Sequence, residues 1–423
     1  MADQQFSAPI TPEDAPIALQ LRDPGGSVIT EVTNFREYSF QGHFLTPTDG
    51  FSFVIGDEAV KKSILQGIYV GQQVTLSVGG YVSSGGYLDK VKIRSSRKGT
   101  EVHLDGRDWL APAVDAEMDP AKTNFQASNT LLDVIVKCFA PYGFGEVGQI
   151  LASDEANGNI ITGQKRGLKT TKTGKTIKSA LAHQLKPYPH EGVFAFASRM
   201  SQRFGLWIWA SADGQNLIVD EPDFTQKAIY NLWNKTDDNS RNNLEEAELD
   251  VDASNQPSII VATGYGGGGD TGRVGMKCIG INELTGVDAS GAILPEVQDI
   301  VDANPTAVVL PIRSAIVGFM ANARVRAIYL HDDESKTPDE LQSFVRRELA
   351  LKQQHGVVYR TIHERHEIAG VPLYTNSIAN VDDDTNQLHD RMWCLSRTFQ
   401  QSRDGGTTTH GEWILPGTLN FGD

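Results

Sequence analysis

A strand that runs into a glycine-containing turn divides this chain near residue 106. Apolar and polar residues alternate over 101–105, as in a strand with one buried face. The dipeptide Asp105-Gly106 then predicts a sharp turn, because glycine adopts backbone angles that other residues avoid. We therefore expect a β-domain to end within residues 100–114, with Gly106 the residue that tolerates substitution least. We interpret Arg107 and Asp108 as polar anchors that fix the direction of the exit, with no catalytic role.

The first part of the chain repeats this strand pattern at short intervals. Short strands separated by glycine-rich turns are typical of a small barrel or sandwich, and we predict a tube-like β-barrel domain over residues 17–118. Residues 1–16 are polar and acidic, so we interpret them as an N-terminal arm, and residues 57–67 have the spacing of a short helix. The predicted strands are 27–32, 38–44, 50–55, 73–78, 87–94 and 100–105, and the predicted turns are 47–50, 79–80, 83–86 and 97–99.

The middle of the chain changes to helical spacing. Apolar residues three and four apart predict helices over 130–139, 176–185 and 193–204. Pro141 and Gly143 end the first helix, and Gly205 ends the third. Apolar segments at 206–210 and 217–219 flank Asp213-Gly214, which indicates a hairpin. A helix packed on a hairpin predicts a small α+β domain over residues 119–221.

The β pattern returns in residues 222–423. Thr337, Pro338 and Glu340 have the spacing of a helix start, and we predict a helix over 338–355. We interpret this part as a second tube-like β-barrel domain with a long insertion at 265–323. The resulting fold class is α+β, mainly β, with a small α+β domain between two tube-like β-barrel domains. The predicted strands are 246–251, 258–264, 275–281, 324–331, 357–369, 390–399 and 407–415.

Charge and cysteine content limit the function classes. The formal net charge is −15, which argues against a general nucleic-acid binder, since such proteins need basic surfaces. A protein past which DNA slides without sticking is compatible with that charge. Cys138, Cys278 and Cys394 lie far apart and indicate buried free thiols. No apolar run approaches the ~18 residues that span a bilayer, so we expect no membrane insertion.

One loop departs from the acidic character of the chain. Residues 158–178 are polar and rich in lysine and arginine, with few apolar residues. They fit either a solvated loop or a docking surface for an acidic partner or a neighbouring copy. On the second interpretation the loop mediates assembly, and the candidate interface residues are Lys165, Arg166, Lys169, Lys172, Lys175 and Lys178.

Nucleotide-binding motifs are present only in part. Gly174-Lys175-Thr176 opens a predicted helix, but a phosphate loop needs glycine where Lys169 stands. The glycine-rich residues 264–272 follow an apolar strand but precede another strand, whereas a dinucleotide site needs a helix there. We therefore predict a hairpin tip at 264–272 and no nucleotide site.

Two side-chain clusters also lack the pattern of a metal site. His363 and His366 are three apart on a predicted strand, so they face opposite sides. Residues 382–386 begin like a calcium loop, but Gln387 and Trp393 stand where glycine and glutamate are needed. We expect no catalytic residue, no metal and no cofactor.

The order of these elements resembles the baseplate hub proteins of contractile phage tails, the Mu-type hub and late control protein D group. The pattern covers most of residues 25–415, whereas 158–178 and 265–323 depart from it. The residues that carry the resemblance are HLDGRD at 103–108, LLDVIVKCFAPYG at 131–143, the helix and hairpin of 193–219, the helix at 339–355 and the closing hairpin around Gly405-Gly406.

The resemblance implies a structural role in a contractile injection system. It implies a homotrimer whose six tube-like barrels form a ring, a symmetry adaptor between the six-fold tail tube or a tube-initiator protein above and a three-fold spike protein below. The tape measure protein and other baseplate proteins are further implied partners, and DNA passes through the channel without specific binding. The implied location is the tail baseplate of the virion, after synthesis in the bacterial host cytoplasm.

Two other functions stay open from the residues alone. A tail-associated peptidoglycan hydrolase would belong to the same particle, although no carboxylate pair stands in an apolar setting that marks an acid/base couple. A carbohydrate-binding protein for host attachment would use Trp207, Trp209 and Trp233 as a sugar platform. Alternate tryptophans next to an apolar helix are more typical of a core.

Overall fold

A computed structural model gives the fold of most of the chain. It includes most of the N-terminal and C-terminal strands. The helices predicted at 57–67 and 176–185 lie outside the described residues. The described residues are 17–23, 25–55, 68–97, 99–119, 131–144, 150–154, 159–162, 186–202, 206–212, 214–237, 242–264, 275–311, 320, 324–332, 335, 338–402 and 406–419.

Strands dominate the described part of the chain, as the sequence predicts. The helices are α1 (Ala111–Asp115), α2 (Leu131–Phe139), α3 (Val193–Gln202), α4 (Pro295–Asp302) and α5 (Pro338–Gln353). The strands are β1 (Ile17–Arg22), β2 (Val28–Val32), β3 (Glu37–His43), β4 (Gly50–Ile55), β5 (Gln73–Val78), β6 (Tyr81–Ser96), β7 (Gly99–Asp108), β8 (Ile150–Asp154), β9 (Asn159–Thr162), β10 (Trp207–Ala210), β11 (Leu217–Asp220), β12 (Tyr230–Asn234), β13 (Glu246–Val251), β14 (Ile259–Gly264), β15 (Met276–Ile281), β16 (Val308–Val309), β17 (Ala327–Asp332), β18 (Val357–His363), β19 (Glu367–Ile368), β20 (Val371–Pro372), β21 (Ile378–Asp383), β22 (Leu388–Ser402) and β23 (Gly406–Ile414).

Strands from both ends of the chain join in one 13-stranded sheet. Its order is β13-β18-β23-β22-β3-β4-β7-β6-β5-β1-β2, with β12 and β21 attached beside β22. The antiparallel pairing of β22 with β3 connects the N-terminal strands to the C-terminal ones. The described residues contain no closed barrel, so the prediction of two tube-like barrels is not confirmed. The mainly β character of the fold is confirmed.

Side-chain alternation gives the large sheet one apolar face. Buried and less buried residues alternate along β1 and β4, as expected for strands with one face on a core. Phe40, Phe53, Leu104 and Phe399 are fully buried in the same cluster, although they come from four strands. Burial of a side chain of this size contributes roughly 1.5–3 kcal/mol. The apolar face is therefore a large part of what holds the two ends of the chain together.

A small α+β unit follows the first strand series, as predicted. Helices α2 and α3 pack through Ile135, Phe139 and Phe196 into one buried cluster with the hairpin of β10 and β11. Gly143 has a positive φ of 98°, which ends the turn after α2. Strands β8 and β9 extend the hairpin to a four-stranded sheet of order β10-β11-β8-β9, which the sequence did not predict. The predicted stop at Gly205 lies outside the described residues.

The segment 265–323 is more than the loop-rich insertion that we expected from its composition. Its described part includes β15, α4 and β16, and the sheet order β16-β15-β14-β17 places β15 beside β14 and β16 beside β15. Val345 and Leu349 of α5 pack on one face of this sheet, and Val297 of α4 packs on the other. β14 and β15 are antiparallel neighbours with Gly264 opposite Met276, and residues 265–272 of the predicted hairpin tip lie outside the described residues.

Two turns predicted from glycine are wrong. Strand β6 runs straight through the predicted turn at 83–86, where a Cβ on Gly86 would lie 1.9 Å from the Arg107 carbonyl oxygen. Strand β7 likewise continues past the predicted turn at Asp105-Gly106 to Asp108. A Cβ on Gly106 would lie 2.3 Å from the Phe51 ring. These glycines are required by close approach between strands, whereas Gly79 and Gly80 do form the predicted turn with positive φ.

Smaller differences concern strand ends and membrane propensity. The strand predicted at 357–369 ends at His363, and the chain bends before the short strand β19. The predicted helix at 338–355 is confirmed as Pro338–Gln353. Among the helices that the structure describes, none has the length and apolar character needed to cross a bilayer.

Candidate assembly interface

The basic loop predicted at 158–178 is described only in part. Residues 159–162 of the loop form β9, which pairs with β8. The six side chains, Lys165, Arg166, Lys169, Lys172, Lys175 and Lys178, lie outside the described residues. Their role as an interface stays a prediction.

The pairing of β3 with β22, which we call the seam, is where the two ends of the chain meet. Phe40 and Phe399 stand opposite each other in the register, with ring centroids 6.0 Å apart. The guanidinium of Arg397 lies 5.1 Å from the Phe40 ring centroid and 4.8 Å from that of Phe399. Such contacts add cation–π attraction to the apolar burial. The seam is therefore part of the protein interior.

Arg397 also ties the two segments together by hydrogen bonds. Its side chain is 4% exposed and donates to the carbonyl oxygen of Ser83, at 2.9 Å, and to that of Leu373. Ser83 belongs to the N-terminal strand series and Leu373 to the C-terminal one. Burial lowers the pKa of Arg397, and the nearby Asp49 acts in the opposite direction. The sequence analysis missed this residue, although its position between Leu395 and Phe399 on the apolar face of a predicted strand was a usable signal.

The two histidines rejected as a metal pair have separate structural partners. His366 contacts the Tyr38 hydroxyl through Nε2 and the Thr409 hydroxyl through Nδ1, both at 2.6 Å. His363 contacts Thr361 Oγ1 through Nε2 at 3.0 Å. Burial lowers the pKa of His366 to about 3 and that of His363 to about 4, so both rings are neutral at pH 7. His366 bridges the two ends of the chain, because Tyr38 comes from β3.

The exit from the first strand series is fixed by polar contacts, as the sequence predicts. Asp108 Oδ1 accepts a hydrogen bond from the Leu110 amide at 3.0 Å, and Asp108 Oδ2 accepts one from the Asp49 amide at 3.2 Å. Arg107 forms ion pairs with Asp89, at 2.5 Å, and Asp115, at 2.6 Å. Burial raises the pKa values of Asp49 and Asp108, and each carboxyl is held by backbone amides. We infer that these groups position the chain.

An exposed acidic cluster resembles a metal site only in composition. Asp382, Asp384 and His389 bring ligand atoms within 4.8 Å of one another. The ammonium group of Lys235 lies 2.6 Å from Asp382 Oδ1 and 3.1 Å from Asp384 Oδ1. This ammonium group lowers the pKa values of both carboxyls and supplies the positive charge that an ion would bring. The cluster is therefore complete as an ion-pair network.

The face of the large sheet opposite its core is polar across both ends of the chain. We define this polar face by one row of cross-strand neighbours that crosses β23, β22, β3, β4, β7 and β6. Hydrogen bonds join neighbours in it, including Ser52 Oγ to Asp105 Oδ1 at 2.7 Å and Gln400 Nε2 to Thr408 Oγ1 at 3.1 Å. The row is Thr408, Gln400, Ser39, Ser52, Asp105 and Lys90.

Charge on the polar face changes sign from one end to the other. Lys90, Lys92 and Arg94 are exposed on β6. At the opposite end, a cavity of about 300 Å³ is lined by Glu246, Glu248, Arg360 and Glu412 among others. Arg360 is 3.1 Å from Asp250 Oδ2 and 3.9 Å from Glu412 Oε1, so one cation stands among several acids. One end of the polar face is therefore basic and the other is acidic.

Comparison with known proteins identifies the first strand series. Residues 29–108 match the family model described as Mu phage baseplate assembly protein GpP-like, N-terminal. This segment is therefore similar to a GpP-like baseplate domain. This confirms the resemblance to phage baseplate hub proteins, and the match ends at Asp108, where β7 ends. A search of curated proteins gave no match.

The whole chain has the fold of phage tail proteins. A tail protein from Neisseria meningitidis MC58 superposes with a TM-score of 0.65 at 18% identity, covering 96% of this chain and 98% of that one. The 43 kDa tail protein of prophage MuSo2 from Shewanella oneidensis gives 0.65 at 15% identity, covering 96% and 100%. The prophage tail protein gp18 from Listeria monocytogenes EGD-e gives 0.51 at 8% identity, covering 94% of each chain.

The residues proposed for sugar binding belong mostly to a core. Trp207 is 7% exposed, and Trp209 packs with its ring centroid 5.1 Å from that of Phe44. Trp233 is half-buried on β12. Trp207 and Trp209 therefore join the α+β unit to the large sheet, and the first of them is not available as a sugar platform. The three cysteines are free and buried, as predicted.

Proposed function

We propose that the protein is the structural hub of a contractile phage tail. In this proposal it is a homotrimeric symmetry adaptor between the six-fold tail tube and the three-fold central spike. The observation that carries the proposal is the single sheet with one polar face that includes the strands of the GpP-like domain and those of the C-terminal part. The fold of tail proteins over almost the whole chain supports it.

The seam suggests how one chain meets two symmetries. Each chain contributes two strand series joined side by side through β3 and β22. Three such chains arranged about one axis present six strand series around a ring. A closed ring also pairs or covers strand edges that would otherwise be exposed. This arrangement would present six-fold spacing to a tail tube and three-fold spacing to a spike.

The polar face is the surface that we assign to the DNA channel. Its row of hydroxyl, amide and charged side chains offers no apolar patch and mixes both signs of charge. Stable DNA binding needs many lysine or arginine contacts to phosphate, and the chain as a whole carries a net charge of −15. DNA would therefore pass such a wall without specific binding.

The proposed role includes no catalysis. Two acids with raised pKa values, Asp49 and Asp108, are held by backbone amides beside the seam. The cavity of about 300 Å³ lies elsewhere on the sheet, at Glu246, Glu248 and Glu412. A peptidoglycan zymogram tests this part of the proposal. Clearing by this chain alone would establish a hydrolase instead.

The partners and location follow from the role. We propose contacts with a tube or tube-initiator protein, a spike protein, the tape measure protein and other baseplate proteins within the virion. Sedimentation and native mass measurements of the purified chain test the oligomeric part, and we expect a particle of three times the 46.2 kDa chain mass. Added tube or spike protein should shift that mass further. A monomer at all concentrations, with no affinity for either protein, would contradict the hub.

A further inference from the structure

Several segments of the large sheet have no neighbour on one side among the described strands, and two of them are charged on their polar side. Strand β6 pairs with β5 only as far as Tyr87, and its continuation over residues 90–96 pairs only with β7 among the described strands. Strand β13 is the last described strand at the other end, where its one described partner is β18. We call residues 90–96 and β13 the two free edges. An unpaired edge presents backbone amides and carbonyls to any complementary strand.

The polar sides of the two free edges have opposite charge. Lys90 and Lys92 are exposed on residues 90–96, on the side that faces the same way as Asp105 in β7. Glu246 and Glu248 are exposed on β13, on the side that carries Arg360 in β18. Opposite charges on directly facing strands attract, and like charges repel. Each free edge therefore fits the other better than it fits itself.

The opposite sides of the free edges match as well. Ile93 is 52% exposed on residues 90–96, and Val251 is 46% exposed on β13. Val91, Ala247 and Leu249 pack against the main core. A strand added at either free edge would thus continue the polar face on one side and the apolar face on the other. A shift of one residue would reverse both faces, so the register is well specified.

We propose that β13 of one copy pairs with residues 90–96 of the next copy, and that this head-to-tail strand addition closes the ring. The inference rests on the proposed hub function and names the joint between its subunits. The two free edges have similar lengths, six residues in β13 and seven in 90–96. Because each copy donates one edge and accepts with the other, the contact is heterologous and closes when the rotation per subunit fits.

Strand β2 is the rival partner for β13, and its chemistry is less suitable. It ends the sheet on the other side and exposes Val28 at 46% and Ile29 at 48%. Its exposed charged residue is Glu31, so its pairing with the acidic β13 would bring like charges together. Cross-linking to β2 in place of residues 90–96 would overturn the proposal.

Cysteine cross-linking tests the joint directly. The native cysteines are buried, so only thiols introduced at the surface are accessible for cross-linking. Three double variants cover the registers that keep the polar face continuous. Each carries Glu248→Cys together with Lys90→Cys, Lys92→Cys or Arg94→Cys. We expect one version to form covalent trimers on mild oxidation. Each single-cysteine chain is the matched control and should give none, as should Ile29→Cys with Glu248→Cys.

Charge reversal gives a second, independent readout. Lys92→Glu with Arg94→Glu, or Glu246→Lys with Glu248→Lys, should each weaken self-association about tenfold or more, as two repulsive cross-strand pairs replace two attractive ones. All four changes together should restore it. The joint would be refuted, and the hub left intact, if the wild type forms trimers but the double-cysteine variants do not cross-link and the charge-reversed variants associate normally. A wild-type chain that never forms a trimer would refute the hub itself.

Discussion

The seam and the two free edges are strand positions of one sheet with opposite character. In the seam, Phe40 and Phe399 are fully buried, and Arg397 is 4% exposed and donates to carbonyl oxygens of both segments. At the free edges, Lys92 and Glu248 are exposed. The same backbone geometry therefore supports a dry joint inside the chain and a charged one at its surface.

The difference follows from when each joint has to form. The seam forms as the chain folds, so apolar burial can stabilise it without risk. A free edge is exposed until a second copy arrives, and charged side chains prevent it from pairing with the wrong strand. Charge at an edge thus supplies selectivity, and burial at the seam supplies stability. The predictions below test that division, from the largest expected effect to the smallest.

Removal of the buried cation should have the largest effect. Arg397→Met keeps much of the apolar stem but leaves the Ser83 and Leu373 carbonyl oxygens without their donor, beside the acid Asp49. A buried acceptor left without its donor costs about 1–3 kcal/mol, and two acceptors are affected here. Urea unfolding of the purified variant measures this. Arg391→Met, on the exposed side of the same strand, is the matched control and should cost under about 1 kcal/mol. Equal effects of the two changes would contradict the role of the seam.

Acid should weaken the seam through His366. Its pKa is lowered to about 3 in the folded protein, whereas a free histidine has a value near 6.5. As pH falls from about 6.5 to 4, the unfolded chain gains a proton that the folded one does not, which costs about 3 kcal/mol. The free energy of unfolding, measured against pH, should fall more steeply in the wild type than in His366→Gln. Protonation of Asp49 and Asp108 changes the free energy of unfolding in the opposite direction. It does so equally in the wild type and in His366→Gln, so it cancels when the two profiles are subtracted. His190→Gln replaces an 85% exposed side chain and is the matched control, which should change the free energy of unfolding by no more than about 0.5 kcal/mol.

Gly106 should tolerate alanine poorly because the strands approach closely there. A Cβ would lie 2.3 Å from the Phe51 ring and from the Tyr87 carbonyl oxygen, so the sheet must shift. Such overpacking costs about 1–3 kcal/mol. Gly50→Ala, on the neighbouring strand, is the control, since its Cβ would meet nothing within 4 Å. Thermal or urea unfolding that ranks the two variants equally would remove close approach as the reason for this glycine.

Gly106 also illustrates what local pattern can and cannot predict. The sequence correctly indicated the strand and its end near Asp108, and the sensitivity of the glycine stays a prediction. The turn that it predicted was wrong. A glycine in a sequence can mark either a turn with an unusual φ or a close approach between strands, and the sequence alone does not separate the two. Helices α2, α3 and α5 and the hairpin of β10 and β11 were predicted because three- and four-residue spacing and turn residues act over short distances.

The seam escaped prediction because its partners are distant in sequence. Tyr38 and His366, for example, are 328 positions apart and still in contact. No residue pattern within β3 indicates that β22 is its neighbour. The sequence therefore suggested two separate barrels, whereas the described strands form one sheet. Arg397 was missed for the same reason, since its acceptor at Ser83 is 314 positions away. The basic loop was noticed because composition is local, whereas charged strand edges are recognised only once the sheet order is known.

The smallest effect on stability should come from the free edges. Lys92→Glu and Glu248→Lys change exposed side chains, so each should alter the free energy of unfolding of dilute, unassembled protein by no more than about 0.5 kcal/mol. Urea unfolding at low concentration measures this, and the same samples at high concentration report assembly. If burial stabilises the seam and charge selects the partner at the edges, these variants fold normally and associate poorly. A loss of stability comparable to that of Arg397→Met would place both side chains in the fold itself, and the distinction between seam and free edge would no longer hold.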